Sequence, residues 1–243
     1  MPNELAFERA KELYSLAVNA QRSKNSVYAL QLFESLIEAN DAFYTPFALV
    51  GVIQCYTDLA RHDLLTATYK RVTQLPKPQQ LLLNPSWLAL CYQKSGDLRE
   101  AKIIHAKILE VIPNDSASIS AIAEMSLIEG NLDQTEALAL NLQQRAEPKF
   151  QILGRILRAM VLDLRKKHDE AATELSWVGQ FMISSGNIPT NMWDYGDVQP
   201  LVVKTSPNAK AIQVLFDALS GKIPLPEFTS VWGGIMSTLQ TKT

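Results

Sequence analysis

The stretch SWLALCYQKSGDLREAKIIHAKILEVIP, Ser86 to Pro113, decides how the chain folds. Leu88-Ala89 and Tyr92 precede Gly96-Asp97, and Glu100-Ala101, Ile104 and Ile108 follow it before Pro113. Apolar residues at helical spacing on both sides of Gly96-Asp97 predict two helices, each with one buried face. Glycine can take the left-handed conformation that ends the first helix, and Asp can cap the second. Proline then stops that helix, because it has no backbone donor. Ala89 and Ala101 stand where the two helices must approach closely.

Working outward, the same order recurs. Small residues inside apolar helical runs stand at Ala17, Gly51, Ala89, Ala123 and Ala159, at steps of 34, 38, 34 and 36 residues. A second series, Ala29, Ala67, Ala101, Thr135 and Ala171, follows the first by 12 residues, and by 16 at Ala67, as though the second unit held one added helical turn. A period of this length marks stacked supersecondary units that bury their faces on one another. Lys24-Asn25-Ser26 and Gly130–Asp133 repeat the polar turn of Ser95-Gly96-Asp97, and Pro113 and Pro148 close two of the units. Only four of the ten glycines precede residue 179, which suits long helices. The fold expected is all-α, an α-solenoid of about five helical hairpins with a C-terminal helical extension.

These residues resemble the tetratricopeptide repeat family over roughly residues 5–180. The third repeat, with Leu88-Ala89, Tyr92, Gly96-Asp97, Glu100-Ala101, Ile108 and Pro113, is the best match among the five. The first lacks a closing proline, and the fifth has Arg158 before Ala159. The resemblance implies an array whose first helices line a concave groove. Positions −3, −2, +1 and +4 from each small residue then face that groove, and the candidates for binding a peptide are Tyr14, Val18, Leu49, Val52, Trp87, Leu90 and Met160, with Tyr56 beside them. Family members that grip acidic C-termini carry Lys, Arg and Asn at such places, so the apolar set here implies a different ligand. An apolar peptide or amphipathic helix fits it, held by a scaffold or chaperone. The alternative is a structural subunit of a permanent complex.

Composition narrows the remaining classes. With 23 Lys+Arg against 25 Asp+Glu among 243 residues, and a net charge of −2, the chain lacks the basic surplus that nucleic acid draws on. No apolar run approaches the ~18–20 residues of a membrane span, and Met-Pro-Asn-Glu-Leu shows no secretory head. Cys55 and Cys91 are too few for a disulfide framework, which favours a reducing, cytoplasmic setting. They read as small buried hydrophobes. His62 and His168 fall beside inter-helix turns as solvated residues, and His105 reads as a packing histidine. None has a partner at metal-ligand spacing, and no nucleophile elbow or phosphate loop is present. Neither enzymatic activity nor a cofactor or metal is expected. The partner is a protein or peptide, and either a homo-oligomer or a subunit of a complex is compatible.

The texture changes after Val178. The expected division is 1–178 as the repeat domain and 179–243 as a linker followed by two helices that cap or extend the array. Residues 179–206, with Gly179, Gly186, Pro189, Trp193, Tyr195, Gly196 and Pro200, show no helical period. Ser206-Pro207 reads as a cap and first helical position, and Ile212, Leu215, Phe216 and Leu219 form an apolar stripe on a capping helix. A last segment, Leu225 to Leu239, carries Phe228, Val231, Trp232 and Ile235 with Gly233-Gly234 inside it. Its apolar side exceeds what a cap requires, so it is expected to fold back toward the groove or join a partner.

Overall fold

The computed structural model describes residues 2–189 and 197–240. Trp193, Tyr195 and Gly196 lie outside the described residues, which are all-helical, with thirteen α-helices and no strand. The chain divides into two compact units, Met1–Pro113 and Asn114–Thr243.

Unit 1 holds α1 (Pro2–Arg22), α2 (Ser26–Ala39), α3 (Tyr44–Asp58), α4 (His62–Thr73), α5 (Lys77–Gln80), α6 (Pro85–Ser95) and α7 (Leu98–Val111). Unit 2 holds α8 (Ser116–Ile128), α9 (Leu132–Gln143), α10 (Pro148–Leu164), α11 (His168–Ser185), α12 (Ala209–Leu219) and α13 (Leu225–Gln240), with a short 3-10 turn at Gln199–Leu201. Consecutive helices pack on one another: α1 on α2, α3 on α2 and α4, and α6 on α4 and α7 in unit 1, and α8 on α9 and α10 on α9 and α11 in unit 2.

Five of the helix pairs share one backbone device. The first helix ends at a left-handed residue, namely Lys24, Ala60, Gly96, Gly130 and Lys166, with φ of 58°, 55°, 93°, 77° and 63°. The next residue, Asn25, Arg61, Asp97, Asn131 or Lys167, donates its N–H to the carbonyl five residues back, at 2.8–2.9 Å. This is the Schellman closure, which satisfies carbonyls that a helix end leaves without partners. Asn25, Asp97 and Asn131 then cap the second helix through their side chains. The left-handed residues lie 36, 36, 34 and 36 apart, a more even period than that of the small residues.

That period corrects the second hairpin. In the other four, the small residues stand seven before and five after the left-handed residue. In α3 and α4 the same positions fall on Ile53 and Leu65, and Ala67 is exposed. No added turn exists. Ile53 is buried with Tyr69, Val72 and Cys91, and Leu65 packs on that cluster, so bulky side chains fill the space between α3 and α4. Gly51 has another purpose: a Cβ there would lie 2.5 Å from the Phe33 ring of α2. Pro148 also differs from expectation. α9 has already ended at Gln143, and Pro148 is the first residue of α10, where its missing donor costs nothing.

In unit 2, α11 runs past Val178 to Ser185 and ends at Gly186, which is left-handed. Gly179 sits in mid-helix because the indole of Trp232 lies on it; a Cβ there would be 2.0 Å from the ring. α12 starts at Ala209, two residues later than Ser206-Pro207 suggests, and the Ser206 hydroxyl accepts from the Asn208 N–H at 3.0 Å. α13 packs on α11 and α12, with Phe228, Trp232 and Ile235 buried. These three side chains, expected to turn toward the groove or a partner, pack within unit 2. Burial of two aromatic side chains outweighs the helix penalty of Gly233-Gly234, roughly 1 kcal/mol per residue.

Candidate protein-docking cleft

A cleft of about 230 Å³ opens in unit 1 between α1, α3 and the start of α6. Tyr14, Val18 and Gln21, spaced one helical turn apart, present one face of α1 to it. Phe47, Val50, Gly51 and Gln54 do the same from α3, with Phe33 of α2 behind Gly51. Leu83, Asn84 and Trp87 complete the wall. Asn84 caps α6 through its side chain and Pro85 opens the helix, which sets Trp87 in the first turn. The Tyr14 ring lies 6.1 Å from Phe33 and from Phe47 and 5.4 Å from Tyr44, distances at which aromatic rings support one another.

No lining side chain is ionised at neutral pH. Burial, and then the neighbouring Tyr44, push the Tyr14 phenol above its ordinary value, so it stays neutral. The polar feature between α1 and α3 is one amide pair: Gln21 Nε2 donates to Gln54 Oε1 at 2.9 Å.

Of the candidate residues, the structure gathers Tyr14, Val18 and Trp87 at the cleft. Leu49, 2% exposed, and Val52, 1% exposed, are core residues. α3 has neighbours on two sides: Val52 joins Ala17, Ala29 and Phe33, while Leu49 joins Ile53, Tyr69 and Val72. Tyr56 is half-buried beside the first of these clusters, and its hydroxyl donates to Glu34 Oε1 at 3.3 Å. Leu90 is half-buried and lies outside the cleft lining. Met160, 2% exposed, belongs to the core of unit 2. Gln21 stands at the +4 offset from Ala17, and Phe33, Phe47, Val50, Gly51, Gln54, Leu83 and Asn84 are the lining residues that sequence reasoning missed. Counted from Ile53 instead of Gly51, the same four offsets give Val50, Gly51, Gln54 and Thr57, three of which line the cleft. The register of one hairpin hid these three, whereas Phe47, Leu83 and Asn84 stand at none of the four offsets.

In unit 2 the matching offsets from Ala159 fall on Ile156, Leu157, Met160 and Asp163, all buried. The Asp163 Oδ1 accepts from the Ser206 hydroxyl at 2.6 Å and from Asn208 Nδ2 at 3.0 Å, and lies 2.7 Å from His168 Nδ1. Asn208 Nδ2 also donates to the His168 carbonyl at 2.8 Å. His168 is thus part of a buried polar knot that holds the segment before α12, more than the solvated turn residue expected. Elsewhere in the unit, Arg155 and Arg158 grip Glu174, and Arg158 and Arg165 grip Glu136. Burial raises the Glu136 carboxyl, and the bonds and charges of Arg165 and Arg158 outweigh that, leaving it below its ordinary value. The Arg155 guanidinium stacks 4.1 Å from the Trp177 ring centroid.

Cys55 and Cys91 are free and buried, their thiols pushed up by burial to about 11 and about 12. His105 is buried in α7. Among the described residues no three His, Cys, Asp or Glu side chains gather as a metal site requires, and no helix is long and apolar enough to cross a membrane. Comparison with protein-family models and with curated proteins returned no match.

Proposed function

We propose that the chain is a non-enzymatic protein-binding scaffold or chaperone of the tetratricopeptide kind, an α-solenoid that docks an apolar protein segment at the unit 1 cleft. The observation that carries this reading is the cleft itself, walled by Tyr14, Phe47 and Trp87 with no ionised side chain in its lining. Aromatic side chains with one polar edge are the residues from which interface anchors are most often made. Five hairpins with one closure and a period near 36 support the repeat reading. The high pKa values of both buried thiols argue against a cysteine nucleophile, and two free cysteines are compatible with a reducing, cytoplasmic setting. Affinity capture from a source lysate with the native chain and Trp87→Ala in parallel tests the proposal. A partner lost from the variant supports it, and one retained equally places docking elsewhere. A second reading, a structural subunit of a permanent complex, is favoured by Leu81 and Val111, large apolar side chains that are 81% and 80% exposed. Self-association of the isolated chain at micromolar concentration would support that alternative.

A further inference from the structure

We propose that the outer face of the first hairpin, on the side of α1 and α2 turned away from α3, docks an amphipathic partner helix of about three turns. The basic end of that helix lies over Glu12 and Asp41. The face is separate from the unit 1 cleft: Leu16 stands two residues before Val18, which puts it on the opposite side of α1. Docking here therefore goes beyond the docking proposed for that cleft, and does not depend on it.

The apolar part of the face is shared by two helices. Leu13, Leu16 and Ala20 follow one another at helical spacing along α1, and Tyr28, Leu32 and Ala39 along α2. Leu13, Ala20 and Leu32 are partly buried against the core of the hairpin, while Leu16 is 53% and Tyr28 47% exposed. On the other side of the hairpin, α3 packs on both α1 and α2. Two antiparallel helices leave a groove on each side, and a third helix is the element whose ridges fit it. From Tyr28 to Ala39 the stripe runs roughly 16 Å, the rise of about three helical turns.

Charge selects the occupant. The stripe runs into a cleft of about 1270 Å³ where the first half of α1 meets the end of α2. Leu13, Leu36 and Ala39 supply apolar wall, and Glu8, Glu12 and Asp41 stand around it against one cation, Arg9. Glu8 is paired with Lys11 at 3.4 Å, and Asp41 Oδ1 accepts from the Phe43 and Tyr44 N–H groups at 2.9 Å. Glu12 and Asp41 Oδ2 make no bond among the described residues and are left to meet a cation. An apolar stripe ending in an acidic mouth is complemented by a helix with one apolar face and Lys or Arg in an end turn. Cations in the last turn also suit the helix dipole, so its C-terminal end is the one at the mouth.

The test titrates the full chain, methyl-labelled at leucine, with two stapled amphipathic helices of about three turns. They share one leucine face, and one carries lysines in its last turn where the other carries glutamates. NMR should show the lysine peptide shifting the Leu13, Leu16 and Leu32 methyl signals while the Trp87 indole stays in place. It should bind about threefold to tenfold tighter than the glutamate peptide, as one or two partly exposed charge pairs supply. Glu12→Gln should narrow that preference. Leu16→Ser combined with Tyr28→Ser, both at exposed positions, should weaken the lysine peptide about tenfold, with circular dichroism confirming the fold. Leucine methyls unmoved by either peptide would overturn docking at this face. Shifts at Trp87 in place of Leu16 would overturn it too, and leave the unit 1 cleft as the docking surface. Equal binding of the two peptides would overturn the basic end. Concentration-dependent self-association that Leu16→Ser abolishes would replace the partner helix by a second copy of the chain.

Discussion

Hairpins one and five are built alike and put their first helices to opposite uses. In α1 of unit 1, Tyr14, Val18 and Gln21 look into an open apolar cleft. In α10 of unit 2, Ile156, Met160 and Asp163 occupy the matching offsets and are all buried. Both ends are set by the same left-handed closure, at Lys24 and at Lys166. The difference comes from the neighbours each first helix acquires. α10 is enclosed by α8, α9 and α11, and its Asp163 holds the segment that leads into α12. The polar chemistry of the units divides the same way. Unit 2 links Asp133, Glu136 and Glu174 to three arginines, whereas the unit 1 cleft is walled by aromatic rings and one amide pair. One module, repeated, yields an open surface or a closed one according to its neighbours.

The contrast is sharpest at Trp232, where the largest effect is expected. Trp232→Ala removes the side chain seated on Gly179 and should cost unit 2 about 3–5 kcal/mol. Hydrogen exchange should show α11 and α13 losing protection. Full protection there would mean that the tail does not close this unit. Asp163→Ala should cost about 3 kcal/mol, because Ser206, Asn208 and His168 lose one shared acceptor. Chemical denaturation measures it, and a neutral result would mean that the knot does not hold the segment before α12.

At the open surface, Trp87→Ala should weaken a captured partner by about 2 kcal/mol. That loss should be insensitive to moderate salt, since no ionised group lines the cleft. Steep salt dependence in an isothermal titration would break the contrast between an apolar unit 1 surface and a charged unit 2. In the hairpin interior, Ala101→Leu should overpack α6 against α7 and cost roughly 1–3 kcal/mol.

The pH response differs in sign between the units. Cys55 and Cys91 have folded pKa values of about 11 and about 12, above the ordinary 9.0. The folded state therefore holds protons that the unfolded state releases, and stability should fall as pH rises from 9 through 11. Glu136 is depressed below 4.5, so its contribution is present above that value and lost as pH falls through the folded pKa. Exchange protection measured across pH should show unit 1 weakening first at alkaline pH. At acid pH, unit 2 should lose the Glu136 contribution, while the exposed Arg61–Asp63 pair adds little to unit 1.

The sequence by itself determined the helices, their pairing into hairpins and most of their turns. Apolar spacing, the caps Asn25, Asp97 and Asn131, and Gly96 and Gly130 are local signals that act within a few residues. It also placed Tyr14, Val18 and Trp87 on one candidate surface. Three matters waited for the tertiary structure. The register of hairpin two was hidden because Ile53 and Leu65 replace small residues there, and Ala60 takes the left-handed turn without being glycine. The roles of Gly51 and Gly179 depend on Phe33 and Trp232, which are distant in sequence and arrive only by packing. Most of all, exposure at a given helical offset depends on how many neighbours a helix acquires. Spacing fixes which residues share a face, and only the packed structure decides whether that face meets water, as at Val18, or another part of the chain, as at Met160.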